Sequence, residues 1–237
     1  MASPYVNLPV DQWNEKTKLL VEEHPLESKE IVEVVLQSWK DIFVSKIGPK
    51  KFEIGKDIFP QAQIMAFLLH ELIPLEFASR HPKKWRRNQV KADKDLVYVA
   101  NEKFSIEIKT STNPSGIYGN RSYEHGDGVK KSGYYLIINF GGFNKVKPGV
   151  ENTAATAETK APTSPQVGSI RFGWFDHSDW KGQKAESGQA ATPTPDAKKH
   201  KLVTLYKVVK PPAPRKVKPK EVSGTKPKKP AKKVKIS

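Results

Sequence analysis

The stretch Ala92–Ser111, ADKDLVYVANEKFSIEIKTS, constrains the fold of this chain more than any other. Asp95 opens a short apolar run, Leu96-Val97-Tyr98-Val99, and a polar turn follows at Asn101-Glu102-Lys103. A second run then alternates strictly, with Phe104, Ile106 and Ile108 on one side and Ser105, Glu107 and Lys109 on the other. Period-two alternation marks a half-buried strand. It sets Glu107 and Lys109 side by side on one face, because successive side chains point to opposite sides of a sheet. If the two runs pair as a hairpin, Asp95 reaches the same polar face.

Two carboxylates and an ammonium gathered on a sheet are the parts of a metal-dependent phosphodiester-cleaving site. Magnesium is a hard cation that prefers carboxylate and carbonyl oxygens. Asp95, Glu107 and the main-chain carbonyl of Ile108 form such a set, with Lys109 beside it to position a water or offset charge. The bare pattern of acid, any residue, lysine is uninformative, since it occurs five times in the chain. Only the copy at Glu107 sits in an alternating strand with an acid-led apolar run just upstream; the others read as solvated charge pairs.

Composition narrows the classes. The chain has 237 residues, enough for one sizeable core, and no cysteine, which removes disulfides and thiolate metal sites. No secretory signal is evident at the start, and no apolar run approaches the roughly 20 residues that span a bilayer. A soluble cytoplasmic protein is expected. Net charge is +16; Pro211–Ser237 carries nine Lys and one Arg against one Glu, so +9 lies there and +7 on the other residues. A basic body suits nucleic acid as partner. Six prolines and no core-forming pattern make residues 211–237 a disordered tail.

Residues 11–23 and 28–47 read as helices, the second with Ser28 as N-cap, Gly48-Pro49 as stop and an apolar stripe through Ile31, Val35, Trp39 and Ile42. A third is expected from about Pro60 to Leu72, ended by Pro74, with His70 and Glu71 as its polar exceptions and Glu71 as a possible accessory acid. Arg80–Lys94 holds seven Lys or Arg around one Trp, so Arg80, Lys83, Lys84, Arg86 and Arg87 are candidate phosphate contacts. The loop after Lys109 offers Asn113, Ser115, Tyr118, Asn120 and Arg121 as candidate DNA contacts. Tyr134–Phe140, Ile170–Phe175 and Leu202–Tyr206 read as strands, and mobile insertions are expected near 145–169 and 183–199. Asp176 and His177 are read as structural or DNA-facing. The expected organisation is a helical part (1–57), a core (58–210) and the tail.

Asp95 followed by Glu107-Ile108-Lys109, with eleven residues between the two acids, resembles the PD-(D/E)XK nuclease pattern. The phrases IYGNRSY (117–123), SGYYLIINF (132–140) and RFGWFDHSDWKGQ (171–183) resemble those of the ScaI-type type II restriction endonucleases. One departure is Lys94, where the pattern often has proline. The resemblance implies an α/β restriction-endonuclease-like core with a mixed central sheet flanked by helices. It implies a Mg²⁺-dependent homodimer that cuts double-stranded DNA at a short AGTACT-like palindrome, cut blunt and leaving 5′-phosphate ends. It also implies a cognate DNA methyltransferase. Two alternatives remain open from the residues alone: a structure-specific nuclease of the same fold, and a noncatalytic basic DNA-binding protein.

Overall fold

The computed structural model describes residues 2–120, 132–143, 165–182 and 190–208. Helices α1 (Trp13–Glu22) and α2 (Ser28–Val44) come first, then a short hairpin, β1 (Lys46–Ile47) and β2 (Phe52–Glu53), and helix α3 (Ala62–Arg80). Strands β3 (Trp85–Arg87), β4 (Leu96–Tyr98), β5 (Ile106–Ser111), β6 (Gly119–Asn120), β7 (Gly133–Phe140), β8 (Val167–Phe175), β9 (Trp180–Gly182) and β10 (Ala190–Pro193) follow. Helix α4 (Pro195–His200) and β11 (Leu202–Lys207) complete the described part.

The central sheet has six strands in the order β11-β8-β7-β5-β4-β3. It is mixed: β5 and β7 run parallel, Ile106 opposite Tyr134 through Ser111 opposite Asn139, and the other neighbours are antiparallel. A parallel pair needs a crossover connection. The alternation of β5 explains the layering. Ile106 and Ile108 join Tyr134, Leu136 and Ile138 of β7 on the face that packs against α2 and α3 through Ile31, Val34, Val35, Leu69, Ile73 and Phe77. The opposite face carries Glu107 and Lys109 beside Tyr135 and Ile137. A three-stranded sheet, β6-β10-β9, and α4 build a smaller cluster there with Trp180, Ala191, Ala197 and Leu202. Strand β7 is therefore covered on both faces and buried throughout, which is why it reads as a continuous apolar run. Each fully buried aliphatic or aromatic side chain contributes roughly 1.5–3 kcal/mol.

Several boundaries differ from the sequence expectation. Helix α1 begins at Trp13 behind a 3-10 turn at Val10–Gln12. Helix α2 ends at Val44, and its N-cap is Glu27, with Ser28 already helical. Helix α3 runs through Pro74 to Arg80. Proline removes one backbone bond and crowds the preceding turn. Burial of Ile73, Pro74 and Phe77 on the core offsets that cost. The basic segment contains a strand, β3, because Trp85 is buried beneath α3 and beside Tyr98. Residues 190–199, the end of the second expected insertion, lie in β10 and α4, and 167–169 already belong to β8. Ala191 and Ala197 are small enough to pack under the second sheet. Residues 145–164 and 183–189 of the two expected insertions, and the basic tail, lie outside the described residues.

His24 shows how the core constrains a titratable group. Its ring lies 4.5–5.9 Å, centroid to centroid, from those of Trp85, Phe104, Tyr134 and Phe172. Nδ1 accepts from the Leu26 amide, so Nε2 carries the proton and donates to the Phe104 carbonyl at 3.0 Å. Burial pushes its pKa down to about 4, against which the two backbone bonds act only weakly. Between pH 6.5 and 4 the unfolded chain therefore binds a proton that the folded chain refuses, and stability falls as pH falls. We expect this group alone to remove roughly 3 kcal/mol between pH 7 and pH 4. Urea unfolding of native protein and His24→Gln across that range checks this, the slope being shallower in the variant.

Candidate active site

Asp95 lies immediately before β4, which pairs with β5 only at Leu96 opposite Ile106. Between them the chain turns through a 3-10 segment, Glu102–Phe104, capped by the Asn101 side chain. Beyond Ile106, β5 continues along β7 while its β4 edge is no longer paired with β4. The Ile108 amide on that edge donates to Asp95 Oδ2 at 2.7 Å. In an extended strand the N–H and C=O of one residue point to the same edge. The Ile108 carbonyl thus faces the edge on which Asp95 lies. Glu107 is 4% exposed, and its Oε1 accepts from Lys109 Nζ at 2.7 Å. The three residues singled out from the sequence are thus brought together by the end of one hairpin.

The electrostatics favour charge on Asp95. Burial pushes its carboxyl upward most strongly, but the His70 imidazole, the Lys109 ammonium and the Ile108 amide together hold it below the ordinary carboxylate range. Lys94, one residue earlier, is 5% exposed and donates to the Ser132 carbonyl at 2.9 Å. Burial pushes its pKa down to about 8, although the charges of Glu107 and Asp95 pull it upward. Its ammonium occupies the space a side chain at residue 133 would need: a Cβ on Gly133 would lie 1.7 Å from Lys94 Nζ. Gly133 also has φ +139°, a conformation that strains any L residue.

The other sequence candidates divide into three groups. Glu71 pairs with Arg87 at 2.8 Å, and its neighbour on α3, His70, is the residue that approaches the hairpin, Nδ1 lying 3.7 Å from Asp95 Oδ2. Successive helical residues differ by about 100° around the axis, so one residue decides which reaches the site. Arg86 donates to Asp93 at 2.7 Å and Arg80 to Glu76 at 2.8 Å, while Lys83 and Lys84 are exposed. Asn113, Ser115, Tyr118 and Asn120 are exposed beyond the C-terminal end of β5, and Arg121 lies outside the described residues. Asp176 is structural: it accepts from Ser3 Oγ, Trp174 Nε1 and Lys201 Nζ. Lys201 also bonds Asp179 and sits 4.2 Å from the ring centres of Tyr5 and Trp13, tying the N-terminal segment to the sheet.

Two residues near the site were not selected from the sequence, His70 and Lys94. His70 stood out only as a polar residue in an apolar helix, and its partner is set by how α3 crosses the hairpin. Lys94 stood out only as a departure from proline.

A family model described as ScaI restriction endonuclease matches residues 3–206. The chain belongs to the ScaI restriction endonuclease family. The match runs from ahead of α1 to Tyr206, one residue short of the end of β11. The chain is 41% identical over 194 residues to "Type II restriction enzyme ScaI" of Streptomyces caespitosus, covering 80% of this chain and 78% of that protein. No solved structure matches significantly. As a ScaI-family protein the chain is a restriction endonuclease, a site-specific deoxyribonuclease acting on DNA. The noncatalytic alternative falls with that finding. Among the described residues no helix is long and apolar enough to cross a membrane.

The donor set can be tested against a divalent cation. Among the described residues no three His, Asp or Glu side chains cluster as a metal site. The available set is two carboxylates, Asp95 and Glu107, and the Ile108 carbonyl, all hard oxygens of the kind that suit Mg²⁺. They fit, provided Glu107 shares its carboxylate with Lys109.

Gly133→Ala tests the Lys94 pocket. The tip of Lys94 can swing aside, but the positive φ and the lost bond to Ser132 should destabilise the fold by about 1–3 kcal/mol. A urea midpoint equal to that of the native protein would show that Lys94 is not held there.

Proposed function

We propose that this restriction endonuclease is Mg²⁺-dependent, has a PD-(D/E)XK-type core and cuts double-stranded DNA at a short palindrome. Asp95, Glu107 and the Ile108 carbonyl hold the cation, and Lys109 acts on the attacking water. The single observation that carries this reading is the convergence at the hairpin end, where Asp95 binds the Ile108 amide one residue from the bonded Glu107–Lys109 pair.

The geometry supports these roles. Mg²⁺, when bound, supplies positive charge to the scissile phosphate and lowers the pKa of a coordinated water. Glu107 holds the Lys109 ammonium on the polar face of β5, so its remaining hydrogens are directed by a fixed partner. An ammonium cannot take a proton; Lys109 donates to the attacking water or offsets charge as the phosphorus becomes five-coordinate. Attack at phosphorus breaks its bond to the 3′ oxygen; the water's proton passes to bulk solvent and solvent returns one to the leaving oxygen, giving a 3′-hydroxyl with the phosphate kept on the 5′ side. His70 approaches Asp95 from the α3 side, its Nδ1 lying 3.7 Å from Oδ2. Lys83 and Lys84, both exposed and just before β3, are suited to backbone phosphates.

A palindrome read by a two-fold homodimer gives each strand its own site. The similarity to the Streptomyces protein extends over most of both chains and supports a related, AGTACT-like target with blunt ends. A cell carrying such an activity needs a cognate methyltransferase to protect its own DNA. The cytoplasm is the compartment where that DNA lies.

Plasmid digestion tests the reading. Native protein with Mg²⁺ should give discrete fragments bearing 5′-phosphates, and none in EDTA. Asp95→Ala, Glu107→Ala and Lys109→Ala should each lower cleavage by roughly two to four orders of magnitude. Lys109→Ala should still retard the same DNA in a gel-shift assay. Full cleavage by any of the three would reject the assignment.

A further inference from the structure

The segment that leaves β5 is held as a compact unit by one buried side chain. Asn139, near the end of β7, is 2% exposed. Its Nδ2 donates to the Asn113 carbonyl at 2.8 Å and the Gly116 carbonyl at 2.9 Å. Its Oδ1 accepts from Ser169 Oγ at 3.2 Å and Arg171 Nη2 at 2.9 Å. A primary amide has two donor hydrogens and two acceptor sites. All four are used, so the orientation of this side chain is fully determined.

The segment reinforces itself. Ser111 Oγ accepts from the Asn113 amide at 3.0 Å, Asn113 Oδ1 from the Ser115 amide at 3.1 Å, and Asn113 Nδ2 donates to Tyr118 Oη at 3.2 Å. The chain turns so tightly that a Cβ on Gly116 would come within 2.6 Å of the Tyr118 ring. Gly116 and Ile117 face inward, while Asn113, Ser115 and Tyr118 stay exposed.

Its chemistry and place point to a ligand. Between Thr110 and Asn120 the sequence TSTNPSGIYGN contains no charged residue. Phosphate contacts draw largely on charge, whereas sequence is read by hydrogen bonds and apolar contacts at base edges. Fixed amides and hydroxyls suit the second task, and discrimination improves when they are preorganised. The register carries this unit to the catalytic strand: Ser111 lies opposite Asn139 and Asn139 opposite Ser169, two residues beyond the row Lys109, Ile137, Arg171.

We propose that residues 112–118 read base edges of the target duplex and that Asn139, braced by Arg171, is the positioning residue that sets their geometry relative to Lys109. This rests on the duplex-cleaving reading above and extends it to how the sequence is selected. It assigns Asn139 no contact with DNA.

The test uses two 20-base-pair duplexes, one carrying the sequence mapped at a plasmid cut made by the native enzyme, the other with one base pair of that sequence changed. kcat and KM are measured on both, with melting followed by circular dichroism. Asn139→Asp replaces the two donors with an oxygen facing two carbonyls. It should lower the ratio of kcat/KM between the duplexes at least tenfold, chiefly through KM on the first duplex. Asn113→Ala and Tyr118→Phe, at exposed positions, should each lower that ratio at least threefold, and they decide the matter if Asn139→Asp does not fold. A folded Asn139→Asp with the native ratio overturns the proposal, as do Asn113 and Tyr118 variants that lose activity equally on both duplexes. Native protein that leaves plasmid intact removes the endonuclease reading and this inference with it. Native cleavage with unaltered discrimination in the variants removes this inference alone.

Discussion

Where β4 and β5 part, the Ile108 amide loses its strand neighbour, and the carboxylate of Asp95 takes that place at 2.7 Å. A buried amide without a partner costs about 1–3 kcal/mol, so the divergence of the two strands requires such an acceptor. The same bond places a carboxylate beside the edge on which the Ile108 carbonyl lies, next to Glu107 and Lys109. One local backbone requirement and one candidate metal-binding arrangement are met by the same side chain. His70 from α3 then approaches that carboxylate at 3.7 Å, so helix packing and strand divergence meet at Asp95.

The mixed sheet makes this arrangement possible. Because β5 runs parallel to β7 in strict register, each residue of one face of β5 has a neighbour on the same face of β7. In β5 the apolar residues Ile106 and Ile108 face the helical layer, and Glu107 and Lys109 face the layer beneath β6, β9 and β10. A slip of one residue would exchange the two sets and put Glu107 and Lys109 into the larger core. The register thus secures fold and site together. The second layer leaves Glu107 and Lys109 in a largely buried setting, where charge interactions are stronger than in water.

Two buried polar clusters sit on either side of this site and have different work. Lys201 with Asp176, Asp179 and the rings of Tyr5 and Trp13 fastens the N-terminal segment to the sheet. Burial raises the Asp179 carboxyl despite the bond from Lys201. Asn139 with Ser169 and Arg171 fastens the segment after β5. Both show buried hydrogen bonds fixing a chain segment that apolar packing alone would leave without a unique orientation.

Much of the fold was legible locally. The alternation of Ile106, Glu107, Ile108 and Lys109, the apolar run of β7, and the strands at Ile170–Phe175 and Leu202–Tyr206 are short-range patterns, since a two-residue period states directly which side is buried. Such patterns cannot state which elements meet. Pro74 argues for a helix end, yet the buried surface of Ile73 and Phe77 carries α3 onward. Trp85 sits among arginines and lysines, yet one buried indole makes its segment a strand. Ala191 and Ala197 have the composition of a linker but fill a gap between layers that their small size suits. By itself the sequence determined the pairing of Glu107 with Lys109, because two residues on one strand face are neighbours whatever surrounds them. Only the tertiary structure decided that His70 and not Glu71 approaches Asp95, that Lys94 fills the space left by Gly133, and that Asn139 holds the 112–118 segment. Those contacts join residues far apart in the chain, and their partners are set by how helices and strands pack, which no local period encodes.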